Sequence, residues 1–131
     1  MPAPIHPFRP YLDRFTNPQG PEDIRLTATE IISDLSAEGK LKRKTVSITG
    51  GNNGLGLETA KALHITGAPI FIAARSEKKT EKAVAEISKQ SDGPETRFVV
   101  MDLSSLASMP AAAAKFIELS NRLDILITNA G

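Results

Sequence analysis

One segment constrains this chain more than any other: Thr49-Gly50-Gly51-Asn52-Asn53-Gly54-Leu55-Gly56, set directly behind the apolar run Thr45-Val46-Ser47-Ile48. A β-branched strand enters a turn of spaced glycines, and a helical pattern starts at once. That order aims backbone N–H groups and a helix N-terminus at one point, which suits a pyrophosphate. The glycines divide the work: Gly50 for the tight turn, Gly54 for backbone approach to phosphates, Gly56 for helix–strand packing. Asn52 and Leu55 lie within the same turn and are read with it. A nucleoside-triphosphate loop is the competing reading, because Gly51 and Gly56 meet its spacing. Leu57 and Glu58 then stand where that loop needs Lys and Ser or Thr, so the β- and γ-phosphates would lack their cation.

Beyond the turn, apolar runs alternate with amphipathic stretches. Strands are predicted over Thr45–Thr49, Pro69–Ala74, Arg97–Met101 and Asp124–Thr128. Helices are predicted from Gly54 to Thr66, from Ser76 as N-cap to about Lys89, and from about Leu106 to Ser120, with Ser108 the alternative start because of Pro110. The first helix buries Ala60 and Leu63 and ends at Gly67. The second sets Thr80, Ala83, Val84 and Ile87 on one face. The third turns Met109, Ala112, Ala113, Phe116 and Ile117 inward. Continuous apolar strands separated by helices imply an α/β fold with a parallel sheet.

Residues 1–43 read differently, as an N-terminal extension to the unit at 44–131. Pro2, Pro4, Pro7, Pro10, Pro18 and Pro21 make most of it an irregular arm. The capping-box spacing of Thr27 and Glu30 predicts one short helix carrying Ile31, Ile32 and Leu35.

With 131 residues, 40% apolar and 24% charged, the chain has the composition of one globular domain. A net charge of +1 gives no reason to expect a nucleic-acid partner. The run Lys40-Leu41-Lys42-Arg43-Lys44 has no interleaved aromatics and reads as a solvated approach to the first strand. Zero cysteines excludes thiolate metal sites and cysteine nucleophiles, and no metal site is expected. The longest apolar stretch, Ala68 to Ala74, is far short of a membrane span of about 20 residues. Met1 to Pro7 lacks the pattern of a signal peptide, so the expected location is cytoplasmic.

The other strand ends carry chemistry too. Arg75 follows the second strand, 21 positions after Gly54. An NAD-specific site places Asp or Glu near here to accept from the ribose 2′-hydroxyl. Arginine cannot accept; it forks onto a 2′-phosphate, which favours NADP. Lys79, one turn on, is either a second cation or an ordinary surface lysine. Asp102 ends the third strand, either as a turn aspartate or as an acceptor for the adenine amino group. Asn129 ends the fourth, either as turn chemistry or beside the cofactor ribose. His6 and His64 lie away from these ends and read as bystanders.

The set Thr49-Gly50-x-x-x-Gly54-x-Gly56, Arg75, Asp102-Leu103 and Asn129-Ala130-Gly131 resembles the short-chain dehydrogenase/reductase family. Gly39-Lys40-Leu41 and Ala73-Ala74-Arg75 are similar to its retinol-dehydrogenase-like, NADP-preferring members, including fungal ones of secondary metabolism. Thr128 replaces the first Asn of the family's usual Asn-Asn-Ala-Gly. The resemblance implies the N-terminal half of a doubly wound Rossmann fold, strand order 3-2-1-4, with NADP as cofactor and a carbonyl/alcohol pair as substrate. It also implies a catalytic Ser and a Tyr-x-x-x-Lys beyond Asn-Ala-Gly. Tyr11, the single tyrosine, is followed four positions on by Phe15. The chain is therefore expected to be truncated before its catalytic residues and inactive by itself. The alternative expectation is a non-catalytic nucleotide-binding or interaction module that associates with a full-length homologue. In either case the fourth strand would be an open edge beside uncovered apolar surface, predicting homo- or hetero-oligomers. Ile31, Ile32 and Leu35 are expected to cover part of that surface.

Overall fold

A computed structural model describes residues 11–21 and 26–130. Pro2, Pro4, Pro7, Pro10, His6 and Gly131 lie outside them. The elements in chain order are α1 (Leu12–Phe15), α2 (Ala28–Asp34), β1 (Val46–Thr49), α3 (Gly54–Ile65), β2 (Ile70–Ala74), α4 (Glu77–Gln90), β3 (Arg97–Val100), α5 (Ser108–Leu119) and β4 (Ile125–Thr128). The four strands form one parallel sheet in the order β3-β2-β1-β4. This is the anticipated 3-2-1-4 order, and each strand lies within a residue of its expected bounds. The central pair is the most apolar and the most buried: Val46, Ile48, Ile70 and Ile72 are all fully enclosed.

Alternation along β2 divides the core in two. Ile70, Ile72 and Ala74 pack with Val46 and Ile48 against Ala60 of α3 and Ala83 and Ile87 of α4. Phe71, on the opposite face, packs with Val99 and with Ala112 of α5. The Phe71 and Phe116 rings meet edge-on at 4.8 Å. α5 begins at Ser108, because Pro110 fits a first turn whose N–H groups have no intrahelical partners. Of the five residues expected to face inward from α5, only Ala112 is buried. Phe116 is half-buried, while Met109, Ala113 and Ile117 border an open apolar groove of about 350 Å³ between α5 and β1–β4. Ile117 is 72% exposed and Leu126 of β4 57%. No described element lies over them.

The arm takes a course of its own. Thr27 and Glu30 form the reciprocal capping box: the Glu30 N–H donates to Thr27 Oγ1 (3.2 Å) and the Thr27 N–H to Glu30 Oε2 (2.6 Å). α2 packs on α3, which lies on the face already covered, and Leu35 remains exposed. Ile31, Ile32 and Leu35 therefore do not cover the apolar groove as expected. Backbone bonds explain the course: Gly39 N–H donates to the Ile65 carbonyl (3.2 Å) and Leu41 N–H to that of Thr66 (2.9 Å), fixing the connection at the end of α3. Tyr11 donates its hydroxyl to Asp34 Oδ2 (2.7 Å), tying α1 to α2.

His64 stands apart from the strand ends, as expected, and is 2% exposed. Pro94's carbonyl can only accept, so Nε2 carries the proton and donates to it (3.0 Å). Nδ1 faces Ser91 Oγ at 2.6 Å. The ring thereby joins α3 to the turn that leads into β3.

β4 is clasped to β1 at its start. Thr45 N–H donates to Asp124 Oδ2 (2.8 Å), and Arg122 Nη2 donates to Asp124 Oδ1 (2.6 Å). These two bonds, Arg122 foremost, hold the Asp124 carboxyl below the usual carboxylate range. A depressed folded-state pKa contributes stability above the unfolded value of about 3.9, and that contribution is lost as pH falls through the folded value. Urea titrations of wild type and Asp124→Asn between neutral pH and the acid limb should show this. The wild-type midpoint should fall more steeply below about pH 4, and the two curves should converge there.

Candidate functional site

The C-terminal ends of β1, β2 and β3 open onto one groove of about 400 Å³ in which polar and charged side chains alternate with Ala73, Ala74, Met101 and Leu103. Its lining includes Gly50, Asn52, Arg75, Lys79, Asp102 and Ser104. Gly50, Asn52, Arg75, Lys79 and Asp102, all singled out from sequence, thus share one cavity. Gly54, Leu55, Gly56 and Asn129 do not line it; Gly56 and Asn129 contact the lining residue Gly50.

The wall is made by β1 and β4 running into adjacent turns. Thr49 Oγ1 accepts from the N–H of Asn129 (3.0 Å) and of Ala130 (3.2 Å). Asn129 Nδ2 donates to the Gly50 carbonyl (3.2 Å). Asn129 is therefore a brace between the two turns, which is the turn chemistry considered for it. Gly50 sits at φ +66°, and a Cβ there would come within 3.0 Å of the Ala130 side chain. Gly56, in the first turn of α3, lies still closer: a Cβ would overlap the Gly50 carbonyl oxygen and come within 2.5 Å of Asn129 Nδ2. The packing role assigned to this glycine is explicit in those contacts.

The start of α3 has a different character. Asn53 is its N-cap in extended geometry, but its side chain makes no capping bond. The N–H groups of the first turn thus keep no side-chain acceptor, and their partial positive charge faces outward. Gly54 takes φ +53°, and a Cβ there would meet no protein atom within 4 Å. Leu55 is 82% exposed. Asn52 donates its side-chain N–H to Thr80 Oγ1 (3.4 Å), and Thr80 donates its hydroxyl to the Ser76 carbonyl (2.7 Å). The glycine turn is thereby moored to α4.

Arg75 and Lys79 bring two cations to one side of the groove. Arg75 is exposed and makes no hydrogen bond or ion pair among the described residues. Ser76 caps α4, accepting from the Lys79 N–H (3.4 Å), and so fixes where both cations leave the backbone. Asp102 lines the same groove. Ser104 donates both its hydroxyl (2.6 Å) and its N–H (2.9 Å) to Asp102 Oδ1. The hydroxyl first, then the amide, hold this carboxyl below the usual carboxylate range, and the charge of Arg75 adds to the effect. Asp102 is thus a turn aspartate and a groove residue at once. Ser104 was not singled out from sequence; its signal was its place two residues after an aspartate at a strand end, the spacing of an Asx turn.

Residues 44–131 match the model of the short chain dehydrogenase family. A relative from Penicillium decumbens, Oxidoreductase calI, is 41% identical over 128 residues, covering 92% of this chain and 37% of its own. Among solved structures, actinorhodin polyketide ketoreductase with NADPH superposes at a TM-score of 0.61 with 30% identity, over 69% of this chain and 34% of that one. A metagenomic short-chain oxidoreductase in complex with NADP gives 0.63 with 30% identity, over 70% and 40%. The chain belongs to the short-chain dehydrogenase family. It spans little more than a third of the length of the curated relative. No helix among the described residues is long and apolar enough to cross a membrane.

The brace at Gly56 predicts the outcome of a minimal change. Gly56→Ala must displace backbone rather than a flexible side chain, so it should lower unfolding stability by about 2–3 kcal/mol. Urea denaturation followed by circular dichroism would measure it.

Proposed function

We propose that this chain contributes the adenine-side half of an NADP site in an oxidoreductase that interconverts a carbonyl and an alcohol. The observation that carries the reading is that Asn53, the N-cap residue of α3 whose side chain makes no capping bond, lines the same groove as the unengaged Arg75. That helix start offers N–H donors to a pyrophosphate. Arg75 offers a guanidinium where an NAD-specific site would need a carboxylate. Gly54 suits the same ligand, since its surroundings leave room for close backbone approach. Lys79 adds charge beside Arg75, and Asp102 offers an acceptor to the adenine amino group. Asn129 holds the floor of the turn in place. The NADPH and NADP complexes of relatives at 30% identity support the choice of cofactor, and the ketoreductase among them supports the choice of reaction.

When bound, the nicotinamide cofactor supplies or accepts the hydride. The residues described here bind and orient it: amide dipoles meet the diphosphate, cations meet the 2′-phosphate, and a carboxylate meets the base. No described residue is assigned the proton transfer to the substrate oxygen. Tyr11 donates to Asp34 of α2 and does not line the groove. The 131 residues are accordingly proposed to bind cofactor weakly and to lack turnover by themselves. Arg75→Glu should weaken binding of NADPH by about tenfold or more and leave NADH affinity nearly unchanged or improved. Titrations monitored by nuclear magnetic resonance would read both; equal losses would remove the 2′-phosphate role.

A second reading, a non-catalytic module that associates with a full-length homologue, is favoured by the apolar groove between α5 and β4. Size-exclusion chromatography with and without such a homologue tests it. Co-elution would support the module, and independent elution would remove it.

A further inference from the structure

Resting on the NADP reading above, we propose that Ser104 is a positioning residue that presents the Asp102 carboxylate to an adenine amino group, making the groove selective for adenine over a 6-oxo purine. The argument begins with the hydrogen-bond inventory of Asp102. An ionised carboxylate only accepts, so Ser104 must donate its hydroxyl; it does so to Oδ1 at 2.6 Å, while its N–H donates to the same oxygen at 2.9 Å. The Asp102 N–H in turn donates to Ser108 Oγ at 2.8 Å. Ser108 opens α5, which packs through Ala112 against Phe71 and Val99. One carboxylate oxygen and the backbone of Asp102 are thus both tied down, the latter to an element anchored in the core.

Oδ2 is left with no hydrogen bond among the described residues, on a side chain that lines the groove. Both Ser104 bonds fall on one oxygen, so the pair fixes the plane of the carboxylate and keeps an acceptor available. The Ser104 hydroxyl, then its amide, and least the Arg75 charge, hold this carboxyl below the usual carboxylate range. A 6-amino purine donates to such an oxygen. A 6-oxo purine brings a second acceptor against it, and two acceptors repel. Selectivity then depends on how rigidly the carboxylate is held, because a freely rotating side chain turns away from the wrong base at little cost. The hydroxyl bond is the shorter of the two anchors and the one a single substitution removes.

The test compares NADPH with its hypoxanthine analogue on the 131-residue chain, using amide chemical-shift titrations for wild type, Ser104→Ala, Ser104→Thr and Asp102→Ala. Wild type should prefer NADPH by about tenfold, as expected for one hydrogen bond to a charged acceptor. Ser104→Ala should reduce that preference to about threefold or less by weakening NADPH while leaving the analogue unchanged. Ser104→Thr, which keeps hydroxyl and amide, should retain it, and Asp102→Ala should abolish it. Equal weakening of both ligands by Ser104→Ala, or an unchanged preference, would overturn the positioning role and leave the NADP reading standing. A preference that survives Asp102→Ala would place base recognition elsewhere and overturn the proposal. Wild type binding neither ligand would overturn it together with the NADP reading.

Discussion

The acceptance of two backbone N–H groups by one hydroxyl, Thr49 Oγ1, is the interaction on which the arrangement of the site depends. β1 and β4 are distant in sequence, and their pairing closes a long loop through α3, β2, α4, β3 and α5. Parallel neighbours have no tight turn to set their register. Here register is set by contacts at both ends: Asp124 receives the Thr45 N–H where the strands begin, and Thr49 receives those of Asn129 and Ala130 where they finish. Between the clasps Val46, Ser47, Ile48 and Thr49 pair with Ile125, Leu126, Ile127 and Thr128. Thr128 contributes a strand residue at this point, so an asparagine there is not needed for the pairing.

That clasp determines where the glycine turn can go. The Asn129 amide holds the Gly50 carbonyl, and the carbonyl sits against Gly56 with no room for a methyl group. α3 is therefore drawn against the strand ends, and its first turn points outward beside the groove. On the far side Asn52 reaches Thr80, which bonds back to Ser76, the cap of α4. Ser76 is next to Arg75. A short chain of polar contacts thus runs from the β4 turn to the residue proposed to read a 2′-phosphate.

Much of this was legible from the residues alone, for identifiable reasons. Strands as apolar as Ile70–Ala74 have few alternatives to a buried central position, and the glycine spacing behind Thr45–Thr49 admits few turns. The groove was legible because parallel sheets collect their ligands at strand ends, where Arg75 and Asp102 stand. What could not be read were contacts that depend on three-dimensional neighbours. Asn129 carries the same side chain as a brace or as a ribose ligand. His64 reads as one polar residue in a helix, and only the fold reveals Ser91 and Pro94 around its ring. The inward face of α5 was read from helical periodicity, which reports which residues share a face but not whether anything covers it. The same limit applied to α2: its apolar residues needed a partner, and backbone bonds near Ile65 and Thr66 chose α3.

The two grooves differ in what they demand of their surroundings. The polar one is finished by groups that already hold each other: Ser104 on Asp102, Ser76 under Arg75 and Lys79, Thr80 on Asn52. Its remaining donors, acceptors and charges can stay in contact with water at little cost until a ligand arrives. The apolar one is lined by Met109, Ile117, Leu123 and Leu126, each exposed over two fifths or more of its surface, and water is a poor partner for each of them. The proposed cofactor groove is thus self-contained in a way that the α5 face is not. Base and phosphate selectivity should track the residues at the ends of β1, β2 and β3, whereas solubility and association should track those of α5 and β4. The two sets are not insulated from each other: Ala73 and Met101 line both grooves, and the Asp102 N–H is held by Ser108 of α5, so a change at the start of α5 can reach the carboxylate while Ile117 and Leu126 lie outside the polar site.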